Sequence, residues 1–496
     1  MKQDFSVLFQ SLNLPTSWNN WLLAFFLGLA LLAGGGAAVA GAELGWTGLL
    51  AVPVLLLVLA ILMHPGLGLA AFVFIVYIQL NLVLVKVRPG IPSPAVMLLG
   101  GLVFLIIWRM VIYGDRPFGW KRASIILVVM TGWLFSVLVA DDSTLALLKF
   151  QKFLENAILA FVVVFFIQRP ESFRRIIWTL LLAGIFMASI SVFQSLTSTY
   201  GNNYFGFGGW TQATTGGTSN YRLTGPYGNP NGYAQVLVLL VPLALDRLWH
   251  EKSTHLRLLA GYALAVCALT IFFTYSRNGF ITLVFTLGFL VVMRRPRIMP
   301  LALSVAMGII LIQFLPASYT ERITSLFQFS SGSGSRVSDV SFQGRISENI
   351  AAWRMLQDNP LFGVGLDNFQ VNYQTYSRKI GLDSRRDPRA PASFYLELLS
   401  EQGLVGFSIF MMFMAIVFRN LWQAREVFQS LGMKTEECMS LAFMSGLAGY
   451  MVFYISKNSA YPNVFWILLG IAFSIAQVAE NSAQALRSDS RSRGLQ

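Results

Sequence analysis

The sequence predicts an all-α protein that crosses a membrane many times. Of its 496 residues, 55% are hydrophobic and only 12% are charged, and the mean hydropathy is +0.61. A soluble chain of this length needs more charge to cover its surface. The apolar residues form runs of roughly 17–25, long enough to span the hydrocarbon core, and they lack strand-like alternation. Because lipid offers no partner to backbone groups, these spans are predicted to be helices.

The apolar runs predict about 12–14 transmembrane helices. The range arises in residues 21–85, where Pro53 and Pro65 allow either two spans or one re-entrant hairpin. The run that begins near Trp21 lacks a small-residue cleavage site, so it is predicted to be a membrane helix rather than a signal peptide. The candidate spans are 21–40, 44–63, 66–85, 95–113, 124–140, 153–167, 176–196, 232–248, 257–274, 279–293, 299–315, 403–418, 439–455 and 464–479.

Basic residues predict the orientation of the spans. With the N-terminus inside, every assigned cytoplasmic loop from residue 114 onward carries at least three Lys or Arg, whereas the outside segment 197–231 carries only Arg222. This is the positive-inside pattern, and it predicts that both termini are cytoplasmic. It also accounts for the net charge of +13 without nucleic acid as a partner. The exceptions are Lys86, Arg88, Lys149 and Lys152.

Two predicted outside segments, 197–231 and 316–402, are too long to be simple connectors. They divide the chain into transmembrane helices over 1–315, a large outside loop over 316–402, and C-terminal helices with a tail over 403–496. The large loop contains a Ser/Gly stretch at 330–335. A helix is predicted from 345 to 357, ended by Asn359–Pro360. Its predicted apolar stripe consists of Ile346, Ile350, Trp353 and Leu356.

Two motifs near the outer ends of spans carry polar or charged residues. Residues 222–234 begin with Arg222 and contain Gly-Asn-Pro-Asn, a turn sequence in which Asn231 is predicted to cap the next helix. Residues 274–280 place Arg277 in a tight outside turn. An arginine so close to hydrocarbon is costly unless it is paired or interfacial, so Arg277 is either an anion site or a snorkelling arginine.

Three further motifs lie in the large loop. Arg345 is at the start of the predicted loop helix, where a cation opposes the helix dipole unless an anion is bound; the alternative is an arginine turned to water. Residues 359–369 form a glycine-containing turn without the strand of a dinucleotide site. Residues 390–406 carry Glu397 and Glu401 one helical turn apart. A solvated acidic face is the alternative there, on a helix predicted to continue into the membrane.

In this order, the five motifs resemble the landmarks of the O-antigen ligase and O-antigen polymerase superfamily. The resemblance covers about residues 222–418 and is carried by Gly-Asn-Pro-Asn before a span, Ser-Arg-x-Gly in a tight turn, and Leu-Phe-Gly-Val-Gly followed by Leu-Glu-x-Leu-x-Glu-x-Gly-Leu-x-Gly. It implies an all-helical C-type glycosyltransferase in the inner membrane of a bacterium, with the large loop periplasmic. Such an enzyme moves a glycan from a polyprenyl diphosphate carrier to a glycan or lipid acceptor.

The resemblance also implies roles for individual residues. It assigns donor diphosphate binding to Arg277 and Arg345, with Arg222 as a weaker third, and paired guanidinium groups suit a diphosphate. The sequence shows no metal-ligand cluster, so we expect neither a metal nor another cofactor.

The chain departs from the ligases at one position. The ligases carry a histidine before the Gly-x-x-Gly of the next span, and here that position is Ala392. The chain's histidines, at positions 64, 250 and 255, fall at membrane edges or in predicted cytoplasmic loops. Either this branch works without the histidine or the position has been altered. The remaining candidates for a general base are Glu397, then Glu401 and Asp387.

Several functions therefore stay open. The leading hypothesis is a polymerase of polyprenyl-diphosphate-linked repeat units, and the nearest alternative is a ligase of the same fold. A membrane transporter component is the rival from another class, because a bicarbonate-transport relative resembles this superfamily and can also lack the histidine. A transporter should place ionisable residues in mid-span, whereas Asp246 falls at a span end. A passive scaffold is the last alternative.

Overall fold

The computed structural model describes residues 65–87, 93–114, 120–215, 218–294, 340–381, 389–458 and 462–493. The predicted spans 21–40, 44–63 and 299–315, the Ser/Gly stretch, His64 and Asp387 lie outside these residues. The helices are α1 Pro65–Tyr77, α2 Leu80–Val87, α3 Pro94–Tyr113, α4 Trp120–Leu138, α5 Ser143–Phe166, α6 Pro170–Leu196, α7 Pro230–His250, α8 Thr254–Phe273, α9 Arg277–Arg294, α10 Val340–Asp358, α11 Phe369–Ile380, α12 Phe394–Ser430, α13 Lys434–Phe453 and α14 Pro462–Arg493.

The chain is an all-α polytopic membrane protein, as predicted. Within the described residues, 8 helices are long and apolar enough to cross a membrane, or up to 9 if one bent pair forms a single span. That pair is α1 and α2, which meet at an angle of 56° beside Gln79, whose φ is 55°. The predicted span 66–85 is therefore a broken helix.

The centre of the bundle is formed by α7 and α14. Their apolar windows are 83% and 89% buried inside the protein, against 22% for α3. Helix α7 packs against α8 and α13, and α14 packs against α5 and α12. Because α7 runs from Pro230 to His250 through the core, it defines two ends of the bundle that differ in their polar residues.

The predicted loop 197–231 contains a β-hairpin that the sequence analysis did not predict. Strands β1 Trp210–Thr215 and β2 Thr218–Leu223 pair antiparallel, with Trp210 opposite Leu223. Threonine and aromatic residues favour strands, but each strand is too short to stand out from the surrounding loop. Tyr200 stacks on Tyr221 beside this hairpin, with ring centroids 4.3 Å apart.

Helices α10 and α11 of the large loop share a small core with the turn between them. The end of α10 at Asp358 confirms the predicted stop, but its apolar stripe is different from the predicted one. Ala351 and Met355 are fully buried, whereas Trp353 is 52% exposed. The buried stripe contains alanines, which allow α10 to approach its neighbours closely. The predicted stripe was based on the large apolar residues and was therefore wrong. This core consists of Ala351, Ala352, Met355, Val364, Phe369 and Tyr373.

Helix α12 is not the continuous helix that was predicted. It is broken at Gly403, whose φ of 65° and ψ of −166° are not helical. The break separates a short segment, 394–402, from the long apolar segment that follows. Both carboxylates of the fifth motif lie in the short segment.

Candidate active site

The predicted site residues that the structure describes gather at one end of the bundle. We call this the loop end; it carries the hairpin, α10, α11, the segment 394–402 and the start of α7. The opposite end carries the last residues of α7 and α9. Contacts between distant parts of the chain build the loop end, and they involve the motifs identified in the sequence.

The first contact joins Arg222 to the turn that precedes Arg277. The Arg222 Nε donates to the Thr274 carbonyl at 2.9 Å, and Nη2 donates to Asn231 Oδ1 at 3.3 Å. The same Asn231 oxygen accepts from the Ser276 hydroxyl at 2.8 Å. Arg222 therefore holds the turn between α8 and α9 against the start of α7.

The predicted cap of α7 is wrong by two residues. Asn229 is the N-cap, and its side chain accepts from the backbone of Asn231 at 2.9 Å and of Gly232 at 3.1 Å. Proline is favoured at the first helical position, so Pro230 moves the start of the helix to Asn229. Asn231 is thereby left to connect Arg222 with Ser276.

The tight turn at 274–276 is confirmed. Helix α8 ends at Phe273 and α9 begins at Arg277, and Tyr275 between them has a φ of 48°, which is rarely populated by aromatic residues. Arg277 is exposed on the first turn of α9. Its neighbour Asn278 donates to the Phe453 carbonyl at 3.0 Å, which ties this turn to the end of α13.

The turn after α13 connects to the start of α12. The Lys457 carbonyl accepts from the Phe394 backbone at 3.0 Å, and the Tyr454 carbonyl accepts from the Ser393 hydroxyl at 3.3 Å. Ala392, the position of the ligase histidine, precedes Ser393 at this junction.

The histidines of α7 and α8 are far from Ala392. His250 ends α7 and His255 follows the first residue of α8, so both lie at the opposite end. At about 1.5 Å per residue, α7 places that end roughly 30 Å from the loop end. Neither histidine can therefore act at the position of Ala392.

The glycine turn at 359–369 packs into the break of α12. A Cβ on Gly363 would stand 2.4 Å from the Glu401 carbonyl carbon, and one on Gly403 would stand 2.3 Å from the Leu361 oxygen. The glycine turn does more than end α10, because the fourth and fifth motifs form one joint. Four backbone hydrogen bonds close it: Val364 N to Ser400 O at 2.9 Å, Gly365 N to Glu401 O at 3.0 Å, Leu404 N to Pro360 O at 2.8 Å, and Val405 N to Leu361 O at 3.1 Å.

Both carboxylates beside this joint are buried, so the alternative of a solvated acidic face is wrong. Glu401 is 4% exposed and accepts from the backbone of Asp367 at 2.9 Å and of Phe369 at 3.4 Å. These bonds hold the glycine turn in place. Glu397 is 8% exposed, and its Oε1 lies 4.0 Å from Lys149 Nζ.

Lys149 comes from α5, which the sequence analysis had not connected with the site. Its amine donates to Asp367 Oδ1 at 3.0 Å. Burial by itself lowers the pKa of Lys149, but the charges of Glu397, Glu401 and Asp367 outweigh burial and raise this pKa above its usual value. Lys149 is therefore a cation throughout the physiological pH range.

Arg345 does not lie at the start of its helix, as had been predicted. Helix α10 begins at Val340, so Arg345 is in the second turn and the helix-dipole argument for an anion does not apply to it. It is exposed. Its positive charge nevertheless acts on Lys457, since burial and then Arg345 lower the pKa of that lysine, with Glu397 opposing them.

Lys457 thus interacts electrostatically with both Arg345 and Glu397, at the junction of α10, α12 and the turn after α13. Within the described part of the chain, neither Arg345 nor Lys457 forms a salt bridge. Like charges held near each other favour an anion between them. The arrangement therefore suits a phosphate-containing ligand close to Glu397.

The sequence analysis missed Lys149, Asp367 and Lys457, although a signal was present for the lysines. Lys149 and Lys86 were exceptions to the positive-inside pattern, and Lys457 falls in a predicted outside turn. Lys86 also reaches the loop end, where its Nζ lies 3.7 Å from the position of a Cβ on Gly228. Cations that violate the topological rule are therefore candidates for function.

One group of possible metal ligands occurs among the described residues, at the opposite end. It consists of Asp246, His250 and Cys438, whose ligand atoms lie within 4.8 Å of one another. Asp246 already pairs with Arg247 and Arg294. Their positive charges oppose a bound cation, so this donor set does not fit a metal.

Sequence comparison matches part of the chain to a known family. Residues 262–411 match the family model described as O-antigen ligase, and no curated protein matches the chain. The matched range runs from α8 into α12 and contains Arg277, Arg345, Ala392, Glu397 and Glu401. The match supports the resemblance of this part of the chain to the O-antigen ligase and O-antigen polymerase superfamily, a family of glycosyltransferase-type membrane enzymes.

Proposed function

We propose that this protein polymerises oligosaccharide repeat units carried on polyprenyl diphosphate, at the outer face of a bacterial inner membrane. The proposal rests on the charged residues that the fold brings together at the loop end. There the buried Glu397 carboxylate lies 4.0 Å from the Lys149 amine and interacts electrostatically with Lys457, on which Arg345 also acts. Glu397 and Arg345 lie in the region that matches the family. A buried base near Lys457 and Arg345, which form no salt bridge among the described residues, suits transfer from a phosphate leaving group.

The donor diphosphate binds to Arg277 and Arg345 in this proposal. Each guanidinium can make a bidentate contact with phosphate oxygens. The contacts of Asn278 with Phe453, and of Phe394 with Lys457, support a single site that includes both arginines. Lys457 adds a third positive charge, whereas Arg222 supports the turn that presents Arg277.

Glu397 acts as the general base. Its carboxylate takes the proton of the acceptor hydroxyl, while the hydroxyl oxygen forms a bond to the anomeric carbon of the donor. The bond between that carbon and the diphosphate oxygen breaks, and polyprenyl diphosphate leaves with the electron pair. A single displacement inverts the anomeric configuration. Glu401 is less suited to this role, because both of its oxygens accept backbone hydrogen bonds.

Polymerase activity is favoured over ligase activity by Ala392. The ligase histidine has no replacement at this position, and a carboxylate base takes its place in the proposal. The description of the matched family favours a ligase, so transfer to a lipid acceptor is the second candidate. The two activities give different products from one donor.

A single assay separates these functions. Purified protein in lipid bilayers is incubated with labelled polyprenyl-diphosphate-linked repeat units, and the lipid-linked products are resolved by size. A polymerase produces a ladder of lengthened glycans that remain on the carrier. A ligase produces none and instead labels an added lipid acceptor. A donor that stays unchanged under both conditions would contradict the proposal.

The proposed topology places the loop end in the periplasm and both termini in the cytoplasm. Basic side chains at the opposite end, including Arg174, Arg247 and Arg294, support this orientation. Gly201→Cys and Gln429→Cys form a matched pair in a background without Cys267 and Cys438. An impermeant maleimide applied to spheroplasts should label position 201 alone; labelling of position 429 alone would reverse the orientation.

A further inference from the structure

Lys149 occupies a position that the topological rule disfavours. It lies in the second turn of α5, near a predicted outside loop, and joins two segments that are distant in sequence. Its side chain is 22% exposed, against 32% for Asp367 and 11% for Glu397. The membrane gives no reason for a half-buried lysine at this position. The contacts of Lys149 within the protein should therefore explain why it is there.

We infer that Lys149 is a positioning residue for Glu397, whose carboxylate it keeps ionised and oriented within the site. This inference rests on the proposed role of Glu397 as the general base. The Lys149–Glu397 separation of 4.0 Å is that of an ion pair rather than a short hydrogen bond. Lys149 therefore acts on Glu397 mainly through its charge.

Glu397 needs such a partner because burial disfavours an ionised carboxylate. Glu401 on the same helix and Asp367 on the glycine turn are the other carboxyl groups beside Lys149. Lys457 and Arg345 face the site from the turn after α13 and from α10, and the buried Tyr454 hydroxyl is also nearby. Among the described residues, Lys149 is the cation at ion-pair distance from Glu397. Without it, Glu397 would bind a proton more readily and could not accept one from the acceptor hydroxyl.

Asp367 fixes the lysine in this arrangement. The hydrogen bond of 3.0 Å orients the Lys149 amine, and the Asp367 backbone is itself held by Glu401 at 2.9 Å. The four residues form a chain from α5 through the glycine turn to the segment 394–402. A purely structural role for Lys149 would be to tie α5 to that turn.

The pH dependence of elongation separates the two roles. We expect Lys149→Met to move the acidic limb of kcat/KM upward by about one pH unit or more, because an opposite charge within about 4–6 Å has been removed. Lys149→Arg should restore most of the original profile. Asp367→Asn weakens the bond to Lys149 and removes a negative neighbour, but the lysine keeps its charge in the site, so the acidic limb should stay in place or move downward.

A structural role predicts a different pattern. Lys149→Met would then lower activity by one factor at every pH, and Asp367→Asn would reproduce its effect because both break the same bond. Either result would overturn the inference. Thermal unfolding in detergent checks that each variant is folded; if Lys149→Met does not accumulate as folded protein, Lys149→Gln replaces it.

A double variant distinguishes failure of this inference from failure of the proposed function. If Lys149 acts through Glu397, adding Lys149→Met to Glu397→Gln should cause little further loss. Full activity in Glu397→Gln would show that Glu397 is not the general base, and the proposed mechanism would fail. A large loss in Glu397→Gln with an unchanged pH profile in Lys149→Met would refute the positioning role alone.

Discussion

The two ends of the bundle both carry charged residues, but they pair them differently. At the opposite end, Asp246 is 1% exposed and contacts Arg247 at 2.6 Å as well as Arg294. At the loop end, Arg345 and Lys457 lack a salt bridge among the described residues. The Asp246 carboxylate is paired with two arginines within the protein, whereas Arg345 and Lys457 have positive charge available for a ligand. The pairing of charges therefore helps to distinguish a structural cluster from a candidate site.

This comparison assigns different consequences to substitutions at the two ends. Removing one partner of a buried ion pair leaves an uncompensated charge and lowers the free energy of unfolding. Removing an exposed cation that binds a ligand should leave the free energy of unfolding unchanged and weaken donor binding.

The largest effect on stability should come from Asp246→Asn. The substitution leaves Arg247 and Arg294 without their shared carboxylate, so we expect the free energy of unfolding to fall by about 3–5 kcal/mol. Protein that remains folded should keep its affinity for the lipid-linked donor. Thermal unfolding and donor KM are measured together, with the exposed Asp141→Asn as the control. A strong loss of donor affinity without loss of stability would place Asp246 in a functional site.

Arg345→Ala should give the reverse result. Charge-assisted hydrogen bonds contribute roughly 1.5–3 kcal/mol each, so kcat/KM for the donor should fall about tenfold or more while stability is unchanged. Arg277→Ala should behave alike. Arg→Lys at either position should recover only part of the activity, because an ammonium cannot make the bidentate contact.

The control for this pair is Arg354→Ala, an exposed arginine on the same helix as Arg345. It should have little effect on donor handling. Full activity in both Arg277→Ala and Arg345→Ala would show that these arginines do not bind the diphosphate.

A smaller effect is expected at alkaline pH from Lys457. Burial and the charge of Arg345 lower its pKa, so it should lose its proton at a lower pH than an ordinary lysine. As the pH rises through that pKa, the positive charge disappears and donor KM should increase a few-fold. Lys457→Arg keeps its charge and should extend donor binding to higher pH. Identical alkaline limbs in the two proteins would exclude Lys457 from the donor site.

The sequence predicted the helices well where hydropathy decides, as in α7 and α14, because the membrane imposes length and composition on a span. It failed where tertiary contacts decide. Pro230 moved the cap of α7 from Asn231 to Asn229, and Gly403 broke a helix whose leucine spacing looked continuous. The break persists because residues 360–365 supply its hydrogen bonds, and no local pattern reveals a partner forty residues away.

The candidate site was predictable only where its residues lie in local sequence motifs. Glu397, Glu401 and Arg277 stood in motifs with a recognisable order, and the structure places all three at the loop end. Lys149 and Lys457 come from α5 and from the turn after α13, outside the region that resembles the family. Only the fold brings these two lysines close to Glu397. Their positions in predicted outside loops, where the positive-inside rule disfavours lysine, marked them as unusual in the sequence.

The most direct test of the account compares Glu397→Gln with Ala392→His in the elongation assay on lipid-linked donor. If Glu397 is the base in place of the missing histidine, Glu397→Gln should lower kcat by about 10²–10⁴-fold, whereas Ala392→His should change it little. Both variants should unfold at the temperature of the parent protein. A sharp gain of activity in Ala392→His, with Glu397→Gln unchanged, would contradict the account and identify Ala392 as a disabled ligase position.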